Sequence, residues 1–225
     1  MNKYFTSASA FIASILLFLS MIAIFIIAPE EQSLGIIQKI FYIHVPLAWW
    51  GFVSFFIVFI SSICYLKTKS FRWHAIALAN AEIGVLFTAC VLITGMIWGK
   101  TSWGVWWTWD PKLTTALLLF FIYMGYLMIQ GMDIDEVKRR NFSAVLGIVA
   151  FIDVPLVFLA ARLWRSIHPA VFTSQGSGIT PTMLYIFLFS LATIFFLWLS
   201  LVLYRYFQVQ LERAIYRKLA NEIGE

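Results

Sequence analysis

Six apolar runs dictate what this 225-residue chain can become. Residues 8–28, 45–66, 113–131 and 182–204 carry no formal charge, while 76–97 carry only Glu82 and 144–161 only Asp153. Each run approaches or exceeds the roughly 20 residues a helix needs to cross the hydrocarbon core of a bilayer. Backbone polar groups in lipid must satisfy one another, so these runs are helices rather than open strands. With 62% hydrophobic and 12% charged residues, the composition excludes a soluble globular domain. The sequence therefore predicts an all-α integral membrane protein, a single domain over 1–225 built as a six-helix bundle. The first run is too long for a signal-peptide core and ends without a small-residue cleavage pattern, so it is expected to stay as a helix.

Charge placement orients the bundle. Six spans put both termini and the even-numbered loops on one side, which carries eleven of the 16 Lys and Arg residues; the odd-numbered loops carry five. The positive-inside bias makes both termini cytoplasmic. It also accounts for most of the net charge of +5, so nucleic acid has no support as a partner and membrane lipid is the expected surroundings. Beyond the last run, Phe207, Leu211, Ile215 and Leu219 recur among charges, the pattern of an amphipathic extension of helix six. The fifth loop, 162–181, is the longest and is punctuated by Gly and Pro, which predicts the most mobile segment. Cys64 and Cys90 form neither a CxxC pair nor a haem-attachment motif, and read as packing residues.

Five of the chain's ten tryptophans crowd into twelve residues of the third loop: Trp98, Trp103, Trp106, Trp107 and Trp109. A membrane-interface belt needs only one or two rings per helix end. Glycines at 99 and 104 allow tight turns or close approach of a ligand. An aromatic shelf on the extracytoplasmic side suggests a binding site for something large, flat and conjugated. Asp110-Pro111 has the form of an N-cap followed by a first helical proline; the sequence leaves Asp110 open as cap or as ligand group.

Loop parity brings two of the three histidines to that same side: His44, at the entry of the second span, and His168, in the fifth loop. Two neutral imidazoles on opposite faces of a porphyrin make six-coordinate haem, and indole rings pack well on its plane. Lys100, Lys112, Arg162 and Arg165 are on the same side and available for its propionates. His74, beside Arg72 on the opposite side, is expected near the lipid headgroups. Asp153 and Glu82 must face the interior, be protonated or find partners; Asp153 stands two residues before Pro155, where local unwinding is expected.

The stretch WGKTSWGVWWTWDPKLT at 98–114 resembles the tryptophan-rich signature of the WWD haem-handling family. The length, the six spans, His44-Val-Pro at helix two and a histidine before helix six are similar to its CcmC-like members. The resemblance implies a haem-transfer subunit rather than an enzyme, in a bacterial inner membrane, with covalent attachment of haem to a chaperone open as a step promoted here. It implies that haem is held transiently at the periplasmic face by His44 and His168 over the platform Trp98–Asp110. The implied partners are CcmA, CcmB, CcmD and the periplasmic chaperone CcmE, within c-type cytochrome biogenesis. Two departures stand out: Lys112 replaces an arginine common after the aspartate, and Pro169 follows His168 directly. A transmembrane electron carrier is disfavoured, since no histidine pair lies in a helix interior. A proton-coupled transporter or channel rests only on Glu82 and Asp153.

Overall fold

The computed structural model describes residues 3–31, 34–164 and 180–223. Its helices are α1 (Lys3–Ile22), α2 (Phe41–Thr68), α3 (Phe71–Trp103), α4 (Pro111–Gln130), α5 (Glu136–Ala150), α6 (Asp153–Leu163) and α7 (Pro181–Ile223). A π-helical turn, Ala23–Ile27, prolongs α1, and a 3-10 turn, Ile36–Ile40, feeds α2. Among the described residues six segments are long and apolar enough to cross a membrane, α5 and most of α6 together forming one. Among the described residues the only strand-like pairing is an isolated bridge between Glu31 and Gly35.

The fifth span is not the continuous helix expected over 144–161. It breaks at Phe151 and Ile152, where Ile152 N–H turns back to the Val149 carbonyl and Val154 N–H to that of Phe151. Pro155 is the cause: it lacks an N–H for the Phe151 carbonyl and its ring crowds that carbonyl, which lies four residues earlier. The unwinding expected beside Asp153 is therefore present. α5 also starts earlier than the apolar pattern, because Asp135 caps it by accepting from Val137 and Lys138 N–H at 3.0 and 2.9 Å.

α2 and α3 form the backbone of the bundle as a long antiparallel hairpin. Only two residues separate them, and Lys69 takes the left-handed conformation (φ 54°) that closes α2. Close approach of the pair requires small residues: a Cβ on Gly84 would stand 2.6 Å from the Phe55 ring. Phe55, Val58, Ala77, Ala81, Tyr123 and Tyr126 centre the largest core cluster, with Phe55 stacked on Tyr123 at 3.8 Å. α1 lies along α7, and α4 packs on α3, α5 and α6. Two tryptophans outside the signature are structural. Trp198 donates to Ser54 Oγ at 2.7 Å, Trp50 donates to the Leu191 carbonyl at 3.0 Å, and the two rings stack. Large apolar side chains such as Phe18, Ile26, Phe121 and Met128 point outward, as lipid-facing positions do. The amphipathic tail is part of α7, and its Leu211, Ile215 and Leu219 are exposed.

Glu82 has a partner. Arg205 of α7 holds it through Nε and through Nη2, the latter at 3.0 Å, and also reaches Glu212 at 2.9 Å. Such a pair welds α3 to α7 and removes half the basis for an ion pathway. Asp153 is 5% exposed in the first turn of α6, and neither carboxylate oxygen has a hydrogen-bond partner among the described residues.

Candidate functional site

The tryptophan stretch is half helix and half loop. α3 has 33 residues, about 50 Å at 1.5 Å per residue, well beyond a hydrocarbon core of about 30 Å. Trp98 and Trp103 lie on its last turns, where a loop was expected from residue 98. Gly104 ends it in the left-handed region (φ 78°), its N–H bonding the Lys100 carbonyl at 3.1 Å. Lys100 Nζ donates in turn to the Gly104 carbonyl at 2.9 Å. Trp98 and Trp103 meet edge to face, as do Trp107 and Trp109, with centroids 5.1 and 5.9 Å apart. Trp106 and Trp109 are 58% and 76% exposed, so two large rings stand bare on a segment of seven residues.

Asp110 forms the cap that one of its two readings expects. Its Oδ1 accepts from Lys112 N–H at 2.9 Å and Leu113 N–H at 3.2 Å, and Pro111 opens α4. The cap fixes the angle at which the loop leaves α4. It also keeps Lys112, half-buried in the first turn, at the base of the aromatic loop.

His44 lies in the first turn of α2, half-buried against α3. Its Nδ1 is 2.9 Å from Thr94 Oγ1, and its Cε1 lies over Gly95. Trp98 is four residues beyond Thr94, on the same face one turn closer to the helix end. The imidazole and the base of the tryptophan stretch are thus neighbours along one helix. Lys39, 7% exposed, donates to the Phe25 carbonyl at 2.9 Å at the same end of the bundle. Phe25 stands in the last turn, four residues before Pro29, which has no N–H to bond that carbonyl. Arg162 falls in the last turn of α6; Arg165 and His168 lie outside the described residues. Among the described residues no three His, Cys, Asp or Glu side chains converge as a metal cage.

His74, expected near the lipid headgroups, is enclosed by the bundle itself. It is 7% exposed in the first turn of α3, between the rings of Tyr65 and Phe71. Arg140 of α5 and Arg213 of α7 lie over Phe71, at 5.6 and 3.9 Å from its centroid. Helices converging on the start of α3 bury it.

The sequence profile described as CcmC, Heme exporter protein C, matches residues 1–221. The chain belongs to the CcmC family. It is 31% identical over 207 residues to "Heme exporter protein C" of Haemophilus influenzae, covering 87% of this chain and 81% of that one. It is 34% identical over 184 residues to a "Putative cytochrome c biosynthesis ccmC-like mitochondrial protein" of Marchantia polymorpha, covering 80% and 78%. A "Heme exporter protein C" of Bradyrhizobium diazoefficiens is 35% identical over 157 residues, covering 68% of this chain and 58% of its own length. The matched span of the CcmC profile takes in every candidate residue, from His44 through the tryptophan stretch to His168.

Thr94, Gly95 and Lys39 were not among the candidates read from the sequence of this CcmC-family chain. A signal for the first two exists. With a two-residue hairpin at Lys69–Ser70, His44 lies 25 residues before Lys69 and Thr94 lies 25 after it, so antiparallel helices set them level. For Lys39 the signal is partial: Pro29 marks the Phe25 carbonyl as lacking a helical donor, but nothing in the sequence says that Lys39 takes it up.

Proposed function

We propose that this chain binds haem at the periplasmic face of the bacterial inner membrane and delivers it to a periplasmic chaperone for c-type cytochrome maturation. The family's name and the relatives' names support the haem-handling class. The observation that carries the site is the pairing of a half-buried imidazole, His44, with two bare indoles, Trp106 and Trp109, at one end of the bundle. Exposed rings of that size cost free energy in water and gain it back against a porphyrin plane. His44 supplies one axial imidazole and His168 the other. Lys112, Arg162 and Arg165 are the cations for the propionates, and Trp98, Trp103 and Trp107 support the shelf beneath the exposed pair. Haem is cargo here, so binding must be firm enough to capture and open enough to release. An edge exposed to water serves that purpose, and the chain acts as a transfer subunit rather than an enzyme. Its partners in this reading are CcmA, CcmB, CcmD and the chaperone CcmE.

Haem-loaded protein in lipid nanodiscs, mixed with the soluble domain of the chaperone, tests the delivery step. The expected result is loss of the Soret band from the nanodisc fraction and its gain by the chaperone. Full retention of haem by the wild-type chain at large chaperone excess would contradict delivery; no Soret band after loading would contradict binding.

A further inference from the structure

A single hydroxyl decides which nitrogen of His44 can bind a metal. Thr94 Oγ1 lies 2.9 Å from His44 Nδ1. The same oxygen lies 2.8 Å from the Cys90 carbonyl and 3.2 Å from the Val91 carbonyl. Carbonyl oxygens only accept, so the one hydroxyl proton of Thr94 goes to the backbone of its own helix. The oxygen that faces His44 must therefore accept. Nδ1 donates to it and carries the ring hydrogen, leaving the in-plane lone pair on Nε2. That is the arrangement in which a histidine ligand is held by its other ring nitrogen.

The next residue constrains the plane of the ring. A Cβ at Gly95 would stand 3.2 Å from His44 Cε1 and 3.9 Å from Nδ1. Cε1 is bonded to both ring nitrogens, so the imidazole rests on α3 at a position where that helix has no side chain. Adjacent residues of α3 thus fix the tautomer and the seat of the ring, one turn below Trp98.

We propose that Thr94 and Gly95 are positioning residues that present Nε2 of His44 to the haem iron and set the strength of that axial bond. The proposal rests on the reading of His44 as a ligand, and the experiment separates the two. Haem affinity, the low-spin ferric EPR spectrum and the reduction potential of bound haem are measured for T94V, T94S, G95A, H44A and H44A/T94V. T94V keeps the volume of threonine and removes the acceptor. It is expected to weaken binding about 10- to 100-fold, the usual effect of losing an outer partner of a metal ligand. It should also alter the EPR g values and raise the potential, because an unanchored imidazole is a poorer donor to iron. T94S should restore all three. G95A should change the g values by pushing the ring off its seat. H44A/T94V should bind no worse than H44A. If T94V matches wild type in affinity and spectrum while H44A loses haem, the positioning proposal is overturned and the ligand stands. A T94V loss that adds in full to that of H44A also overturns it, since Thr94 would then act on folding rather than through the ring. If H44A binds as wild type does, the ligand reading fails and takes the proposal with it.

Discussion

His44 and His74 sit at opposite ends of the same helix pair, and their surroundings could hardly differ more. His74 is sealed between Tyr65 and Phe71 with arginines from α5 and α7 over the neighbouring ring. That end is tied further by Arg205 to Glu82 and by Lys69 to Asn141 at 2.8 Å. His44 is half-buried, backed by a threonine and a glycine, and the loop near its end of α3 leaves Trp106 and Trp109 bare. One end spends its polar and aromatic groups on holding helices together. The other leaves two large rings uncovered, as the proposed haem platform requires. Residue type does not distinguish the two histidines; what packs around them does.

The largest expected effect is at the closed end. R205A leaves Glu82 without its charged partner inside the bundle. The side chains are about a quarter exposed, so the cost should sit near about 3 kcal/mol, the lower edge for a broken buried pair. The thermal unfolding midpoint of the haem-free protein measures it, and E82L/R205M should recover most of the loss. Unchanged stability in R205A would mean the closed end is not held by this pair.

G84A should destabilise by about 2 kcal/mol, because the added methyl meets Phe55, which is fully buried and pinned on Tyr123. Haem affinity of the folded fraction should stay within about twofold of wild type, since the clash lies in the core and away from the aromatic loop. A large affinity change with intact stability would break the division between the two ends.

At the open end, W106A and W109A should each weaken haem binding by about 1 kcal/mol, roughly fivefold in Kd, with little change in unfolding midpoint. W50A or W198A should do the reverse, lowering stability because the half-buried Trp50 and the buried Trp198 donate to the Leu191 carbonyl and Ser54 Oγ and stack on each other. Similar stability losses in all four would erase the distinction between platform and packing tryptophans.

Much of this architecture is legible in the sequence, because lipid makes length and apolarity decisive. The six spans, the Asp110 cap with Pro111 and the disturbance near Pro155 follow from local rules of hydropathy, capping and proline geometry. What depends on neighbours does not. The sequence does not reveal that His74 is buried, because it cannot see α5 and α7 closing over the start of α3. It allows Glu82 a partner but cannot name it, because Arg205 is more than a hundred residues away. It starts the aromatic loop at Trp98, whereas α3 runs on to Gly104, since a tryptophan-rich helix end and a tryptophan-rich loop look alike. His44 was found by loop parity, but its seat on Thr94 and Gly95 needs the register of a helical hairpin.

The central claim is that the open end of this bundle binds haem through His44 and His168, and that His74 has no part in it. Haem titration of wild type, H44A, H168A and H74A in the same detergent, at matched folded concentration, tests it most directly. The account predicts at least a hundredfold loss of affinity in H44A and H168A, beyond the roughly 10- to 100-fold typical of an outer partner, with loss of the low-spin signal. H74A should retain wild-type affinity and spectrum. Equal haem binding by all four, or loss confined to H74A, would contradict it.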